Sequence, residues 1–300
     1  LKRLAVLILA GSVILLASDR SLGDAGEASF TFLRISAGSR PAALAEAVTA
    51  SGSDITSAFY NPALLRSFDG NNQAVFMYNS YFQDVTQHYL SLAAKHNRLS
   101  LGGYLALGKV ADIKRYTIPD IVPGGTFEEN HFIGAAAGAY SLNKFDFGIA
   151  LKYAYEKIDY QSASAVMFDA GIYMPLTDEI AAGAAAKNIG TKPKFVARSF
   201  SLAKEYRLGL AYKPVYFQQM VEFVGDVVFY SDIDTKINLG AEYNYKRYFV
   251  LRGGYGIGYD SRGISLGGGI FYRQFKFDYA FVGYKNDLGN AHRFTVGITF

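Results

Sequence analysis

From residue 72 to residue 300 the chain repeats one pattern: short runs in which aromatic and aliphatic side chains alternate with charged, polar and small ones. A strand points successive side chains to opposite faces, so each run has one apolar and one polar face. In residues 144–156, Phe145, Phe147, Ile149, Leu151, Tyr153 and Tyr155 share a phase, and Lys144, Asp146, Lys152 and Glu156 take the other. Phe275, Phe277, Tyr279 and Phe281 are opposed in the same way to Lys276 and Asp278, and Ile237, Leu239, Ala241 and Tyr243 to Lys236, Asn238 and Glu242. An Arg or Lys on a lipid-facing position at the bilayer midplane costs roughly 2–4 kcal/mol. Charge kept to one side in run after run therefore predicts a wall with lipid on its outer face.

About fourteen such runs, bounded by turn residues, can be counted. They predict an all-β fold, a transmembrane antiparallel β-barrel of about 14 strands. The connections alternate between tight and long. Residues 111–129 and 189–201 are the two longest and fall on one side, which is expected to be external. Residues 95–98, 143, 175–179 and 213–215 are short turns on the other side, expected to be periplasmic. A soluble sandwich would alternate as well, but the two ends of the chain add to the strand count in favour of a barrel.

The last eight residues, 293–300, place Phe294, Val296, Ile298 and Phe300 on one face and Arg293, Thr295, Gly297 and Thr299 on the other. Exposed to water, that apolar face would be an aggregation hazard. In a barrel it meets lipid, and the terminal aromatic strand reads as the signal that hands the chain to the barrel-assembly machinery of a Gram-negative-type outer membrane. At the other end, Lys2 and Arg3 precede a continuous apolar stretch over residues 4–17. That stretch falls short of the roughly 20 apolar residues a spanning helix needs and has the form of a signal peptide, residues 1–25, with cleavage expected between 17 and 25. The remaining organisation is an N-terminal segment over 26–71 and the barrel over 72–300.

Composition narrows the chemistry. The 23 Tyr, 23 Phe and 31 Gly suit interfacial aromatic girdles and curved strands, and the absence of Cys excludes thiolate catalysis and Cys-based metal sites. The formal net charge of +4 carries no nucleic-acid signal. The histidines, His88, His96, His131 and His292, stand in no readable catalytic constellation, and no phosphate-loop, zinc or calcium-loop pattern occurs. We therefore expect no enzyme activity, no cofactor and no metal, and outer-membrane lipids as the surroundings of the wall. The expected inward-facing charges are Lys152, Glu156, Arg207, Glu222, Asp226, Lys236, Glu242, Arg252, Arg273 and Asp278. Both signs are present in similar number, so they read as a network of pairs bracing the lumen. The glycine-rich stretch 253–256 reads as strand curvature.

Residues 30–68 do not alternate. They hold a run of small residues over 36–47 and an aromatic turn over 57–65, whose Phe59, Tyr60, Leu64 and Leu65 would be an exposed apolar cluster unless folded into the barrel as a hatch. Arg40, Asp54, Tyr60, Asn61 and Pro62 mark this hatch, and Arg40, Asp54 and Asn61 are expected to join the lumen network. Residues 32–44 and 53–63, with 187–195 and 206–212 further on, resemble the PorV/PorQ family of outer-membrane proteins, which is related to FadL-type channels. The resemblance implies a fourteen-stranded barrel with an N-terminal hatch. It also implies one of two activities: passing or binding hydrophobic small molecules through a hatch-gated lumen, or acting as a scaffold that binds exported proteins in a type IX-like secretion apparatus. Two departures stand out. The family's Met-Gly-Gly-like step is Leu44-Ala45-Glu46 here, and Glu46 adopts glycine's conformations less easily; the family's Trp before Asn-Pro is Tyr60, which keeps an aromatic body and a polar tip.

Overall fold

The computed structural model describes residues 28–81, 85–116, 123–196, 198–246, 248–286 and 288–300. The expected signal peptide and residues 26–27 lie outside these. Fourteen strands form one closed barrel: β1 (Asn72–Ser80), β2 (Val85–His96), β3 (Leu99–Lys114), β4 (Thr126–Leu142), β5 (Phe145–Ile158), β6 (Gln161–Pro175), β7 (Ile180–Gly190), β8 (Glu205–Tyr212), β9 (Val221–Tyr230), β10 (Lys236–Tyr245), β11 (Phe249–Ile257), β12 (Arg262–Tyr272), β13 (Phe275–Tyr284) and β14 (Asn290–Thr299). Each strand pairs antiparallel with its sequence neighbours. The ring closes where β14 meets β1, in register from His292 opposite Ser80 to Thr299 opposite Gln73. Closure leaves no sheet edge to be solvated, as a strand-built wall in lipid requires. No helix among the described residues is long and apolar enough to cross a membrane.

The alternation read from the sequence becomes the two faces of this wall. On β5, Ile149 is 69% exposed, and Phe147, Leu151 and Tyr153 are exposed beside it, while Gly148, Ala150, Lys152, Ala154 and Glu156 are buried. Phe294 and Val296 of β14 face outward and Arg293 and Thr295 inward. The two ends of the barrel-forming chain meet at one rim, where the Asn72 N–H donates to the Phe300 carbonyl at 3.0 Å and the Phe300 N–H to the Asn72 carbonyl at 2.9 Å.

The connections differ from the sequence reading in three places. β3 and β4 continue past the expected start of the 111–129 loop as far as Lys114 opposite Thr126, because a bulge between Val110 and Ile113, with Asp112 at φ 55°, absorbs the break in register. The connection between β7 and β8 is folded: Lys194–Phe195 pairs with Arg198–Ser199, and Ser201–Leu202 pairs in parallel with Ala28–Ser29. The turn expected at 213–215 runs on to 220, through a 3-10 helix (Val215–Phe217) and left-handed Gln218 and Gln219. Lys144, expected inward, sits exposed in the β4–β5 turn.

Candidate functional site in the barrel lumen

The lumen is occupied by residues 28–71, and three short helices define how that segment sits. Helix α1 (Ser39–Ala43) packs against β11 to β14; a 3-10 helix (Ile55–Phe59) lies against β1 and β2; a second (Pro62–Arg66) lies against β3 to β6. Each 3-10 helix is capped by its own polar residue. The Asp54 carboxylate accepts from the Thr56 N–H at 3.0 Å, and the Asn61 side-chain carbonyl from the Ala63 N–H at 3.1 Å, with Pro62 opening the helix where a missing N–H costs nothing.

Helix α1 ends in a Schellman turn: the Glu46 N–H donates to the Pro41 carbonyl at 2.7 Å and the Ala45 N–H to the Ala42 carbonyl at 3.2 Å. This puts Ala45 at φ 52° and Glu46 at φ 66°, the left-handed region that suits glycine. The Leu44-Ala45-Glu46 departure thus falls on the two residues where the turn needs glycine's freedom. The Glu46 carboxylate is fastened by Arg262 at 2.7 Å and by the Ser36 hydroxyl, which holds the strained turn in place.

Two buried ionic clusters join the segment to the wall. In the first, Arg40 donates to Glu242 at 2.9 Å, to Glu222 at 3.1 Å, and to the Ser51 carbonyl and hydroxyl at 3.0 and 2.6 Å. Arg252 joins Glu242 to Asp278, both at 2.6 Å, and Lys276 bridges Asp278 at 3.2 Å and Asp54 at 3.0 Å. In the second, Arg207 binds Glu205 at 2.6 Å and Asp226 at 2.9 Å. Asp226 in turn accepts from the Val48 and Thr49 N–H groups and the Thr49 hydroxyl. Burial alone would raise the Asp54 pKa, but the Lys276 ammonium and the Thr56 hydroxyl outweigh it and hold the carboxyl at about 2. Burial likewise pulls Arg40 down, yet Glu242 and Glu222 leave it above its ordinary value, and burial pushes the Tyr60 phenol up.

Most of the residues singled out in the sequence converge here. Tyr60 sits on Ala37, its hydroxyl 3.1 Å from the Ala37 nitrogen, and the Asn61 amide donates to the Thr49 and Ile172 carbonyls at 2.8 and 3.0 Å. Lys152 pairs with Asp169 at 2.6 Å. Three residues behave differently. Lys236 donates to the Gly258 carbonyl at 2.6 Å rather than to an acid. Glu156 faces His131 across β4 and β5, away from the clusters. Arg273 lies exposed in the β12–β13 turn at φ 54° and takes no part in the network, because the strand phase stops at Tyr272.

Other participants were not singled out. Glu205, Lys187, Asp169 and Arg262 share the inward phase of their strands but lie close to bulges or strand ends, where the alternation is hard to follow. The wall glycines were read as curvature, yet a Cβ on Gly171 would come within 3.0 Å of Pro62 Cδ, and one on Gly254 within 2.5 Å of the Ala45 nitrogen. These glycines let the segment's backbone lie directly on the wall.

On the loop-side face the contacts turn aromatic. Phe32 stacks on His131 with centroids 4.4 Å apart, Phe30 meets Phe195 at 6.3 Å, and Phe195 meets Phe200 at 6.2 Å. Deeper in, Phe59 lies 6.4 Å from Tyr89 and 5.6 Å from Tyr104. Among the described residues no group of His, Asp and Glu is arranged to hold a metal ion.

No family model matches this chain, and no curated protein matches it. Solved structures do. The Pseudomonas putida toluene transporter TodX is 13% identical over 86% of this chain and 98% of its own, with a TM-score of 0.61. The CymD monoaromatic hydrocarbon channel is 14% identical over 87% and 96%, also at 0.61. A Pseudomonas aeruginosa FadL homologue is 11% identical over 87% and 97%, at 0.55. At these identities the likeness establishes the fold alone, which this chain shares with those barrels.

Proposed function

We propose that the protein is an outer-membrane barrel that passes or binds hydrophobic small molecules through a lumen gated by residues 28–71. The observation that carries this reading is the aromatic mouth formed jointly by the N-terminal segment and the β7–β8 connection: Phe30, Phe32, His131, Phe195 and Phe200. An apolar solute that leaves water at this face would meet the partly exposed Phe195 and Phe200 first, with Phe30, Phe32 and His131 buried behind them. The lumen is filled rather than open, so passage requires the segment to shift, unlike diffusion through a water-filled porin. The hydrocarbon channels with the same fold give the ligand class its precedent. In this reading the chain is exported with cleavage between residues 17 and 25 and assembled through Phe294, Val296, Ile298 and Phe300. The test is toluene uptake into proteoliposomes by the mature protein and by a variant lacking residues 28–71. Uptake above empty liposomes that changes on deletion is expected; equal flux in all three would overturn it.

A second reading, a scaffold of the PorV/PorQ type that binds exported proteins, is favoured by the strength of the segment's attachment. Arg40, Asp54 and Glu46 are all tied to the wall by buried ion pairs, as suits a plug that stays seated. It predicts co-purification with secreted proteins that share a C-terminal domain. Intact secretion in a deletion strain would count against it.

A further inference from the structure

On the barrel strands lysine and arginine keep to the inward phase, as the lipid penalty on outward charge demands. Three lysines depart from it among the described residues, and they lie together at the long-loop ends of β3 and β5. Lys109 continues the outward phase of Leu105 and Leu107, and Lys157 that of Leu151, Tyr153 and Tyr155. Past the β3 bulge, Lys114 is exposed opposite Thr126.

The strand register lines these departures up. Thr86 of β2 stands opposite Lys109, Lys109 opposite Asn130 of β4, Asn130 opposite Lys157, and Lys157 opposite Ser162 of β6. Directly opposed residues share a face, so these five form one outward polar row. Lys109 and Lys157 are two strands, or about 10 Å, apart in it. Two residues lower on each strand the same register gives His88, Leu107, Phe132, Tyr155 and Ser164, and two lower again Leu90, Leu105, Gly134, Tyr153 and Val166. The row therefore sits where the lipid-facing apolar columns end.

Lys109 is paired with Glu128 at 2.7 Å and Arg115 with Asp159 at 2.6 Å. Lys114 and Lys157 form no ion pair among the described residues, and the exposed Asp112 stands against them. The cationic surface continues beyond β6. The Thr191 N–H donates to the Val166 carbonyl at 2.9 Å, and Lys194–Phe195 packs beside β6. This brings up Lys192, Lys194 and Arg198, all exposed and without an ion pair among the described residues, in a stretch, 189–204, that holds no acid.

We propose that this arc of the rim, from Lys109 to Arg198, binds the headgroup of a membrane glycolipid that carries phosphate on its sugars. The ammonium groups of Lys109 and Lys157 take the phosphates, Asn130 and Ser162 meet sugar hydroxyls, and the acyl chains lie along the apolar columns beneath. A soluble polyanion would match the charge alone, whereas a lipid matches the charge and the columns directly below it. A diacyl phospholipid offers one phosphate, and the row offers two ammonium groups about 10 Å apart. The proposal rests on the outer-membrane reading above and not on passage through the lumen.

The test titrates the full mature protein in detergent micelles with bisphosphorylated lipid A, with its dephosphorylated form and with phosphatidylglycerol. Bound lipid is counted by native mass spectrometry, folding is checked by heat-modifiable migration, and fractionation of the producing cells reports placement separately. Wild type is expected to bind lipid A at least tenfold more tightly than either comparison lipid. Joint Lys109→Gln and Lys157→Gln should lower lipid A affinity at least tenfold, and joint Lys109→Arg and Lys157→Arg should retain most of it. Lys246→Gln, at an exposed lysine of the opposite rim, should leave it unchanged. Equal affinity for phosphatidylglycerol, undiminished lipid A binding by the folded double glutamine variant, or an equal loss in Lys246→Gln would each overturn the site while protein in the outer-membrane fraction leaves the outer-membrane reading intact. Absence of the protein from that fraction would overturn both.

Discussion

Replacing Arg40 by Met tests whether the ionic clusters hold the N-terminal segment in place. The substitution keeps the aliphatic stem of the side chain and deletes four hydrogen bonds: to Glu242, Glu222, the Ser51 carbonyl and the Ser51 hydroxyl. Its consequences for the two acids differ. Glu242 still has Arg252 at 2.6 Å, whereas Glu222 keeps only the Ser51 hydroxyl at 2.7 Å and the half-exposed Lys213 at 3.5 Å. Glu222 is thus the stranded charge, and breaking one side of a buried pair costs about 3–5 kcal/mol. The fourteen-strand ladder does not pass through Arg40, so the loss falls on docking of the segment and not on the wall. At about 1.4 kcal/mol per tenfold, the undocked population rises at least roughly 100-fold. Limited proteolysis within residues 28–71 should accelerate accordingly, and single-barrel conductance in planar bilayers should rise from its plugged level, with heat-modifiable migration preserved. Adding Glu222→Gln to Arg40→Met should recover much of the protection, because the stranded charge is gone. Unchanged proteolysis and conductance in folded Arg40→Met would refute the argument that these pairs seat the segment.

Three further outcomes follow from the same geometry. Ala45→Gly relieves the left-handed strain at the Schellman turn and should stabilise the docked segment by about 1 kcal/mol, read as slower proteolysis at residues 28–71; faster proteolysis would argue against strain there. Gly171→Val places branched carbon against Asn61 and Pro62 and should release the segment while the barrel still migrates as folded; normal protection would show that the wall can yield. The carboxyl of Asp54 is held at about 2, below its unfolded value of 3.8, so its contribution is fully present above pH 3.8 and is lost as pH falls through 2. That shift corresponds to roughly 2 kcal/mol. Protection should stay level from pH 7 to pH 4, and Asp54→Asn should lose it at every pH in that window; an Asn variant protected like wild type would exclude the Lys276 pair as a fastener.

What could be read from the residues, and what could not, follows from the physics of each signal. The faces of β5, β10, β13 and β14 were legible because lipid penalises charge on every second residue, which imprints the fold on the chain position by position. Arg40 and Asp54 were legible as charges in a segment that does not alternate and so does not read as wall. The glycines were not, since a residue without a side chain carries no phase, and Gly148, Gly171 and Gly254 reveal their role only against the backbone they accommodate. Arg273 was misplaced by extending the β12 alternation one residue into a turn. Arg293 was in the right phase, but its place opposite Asn79 of β1, more than 200 residues away, is set by closure of the ring and no local pattern records it.

The positions of the partners along the chain also bear on how the molecule is built. The N-terminal segment is made first, yet Arg40 pairs with β9 and β10, Glu46 with β12 and Asp54 with β13, all of which leave the ribosome last. Its seat does not exist until the final hairpins arrive. Those hairpins in turn bring inward charges, Arg252, Asp278 and Lys276, whose counter-ions are spread over neighbouring strands and the segment itself. The first-made part of the chain thus waits on the late strands for its counter-charges, and those strands wait on it for theirs.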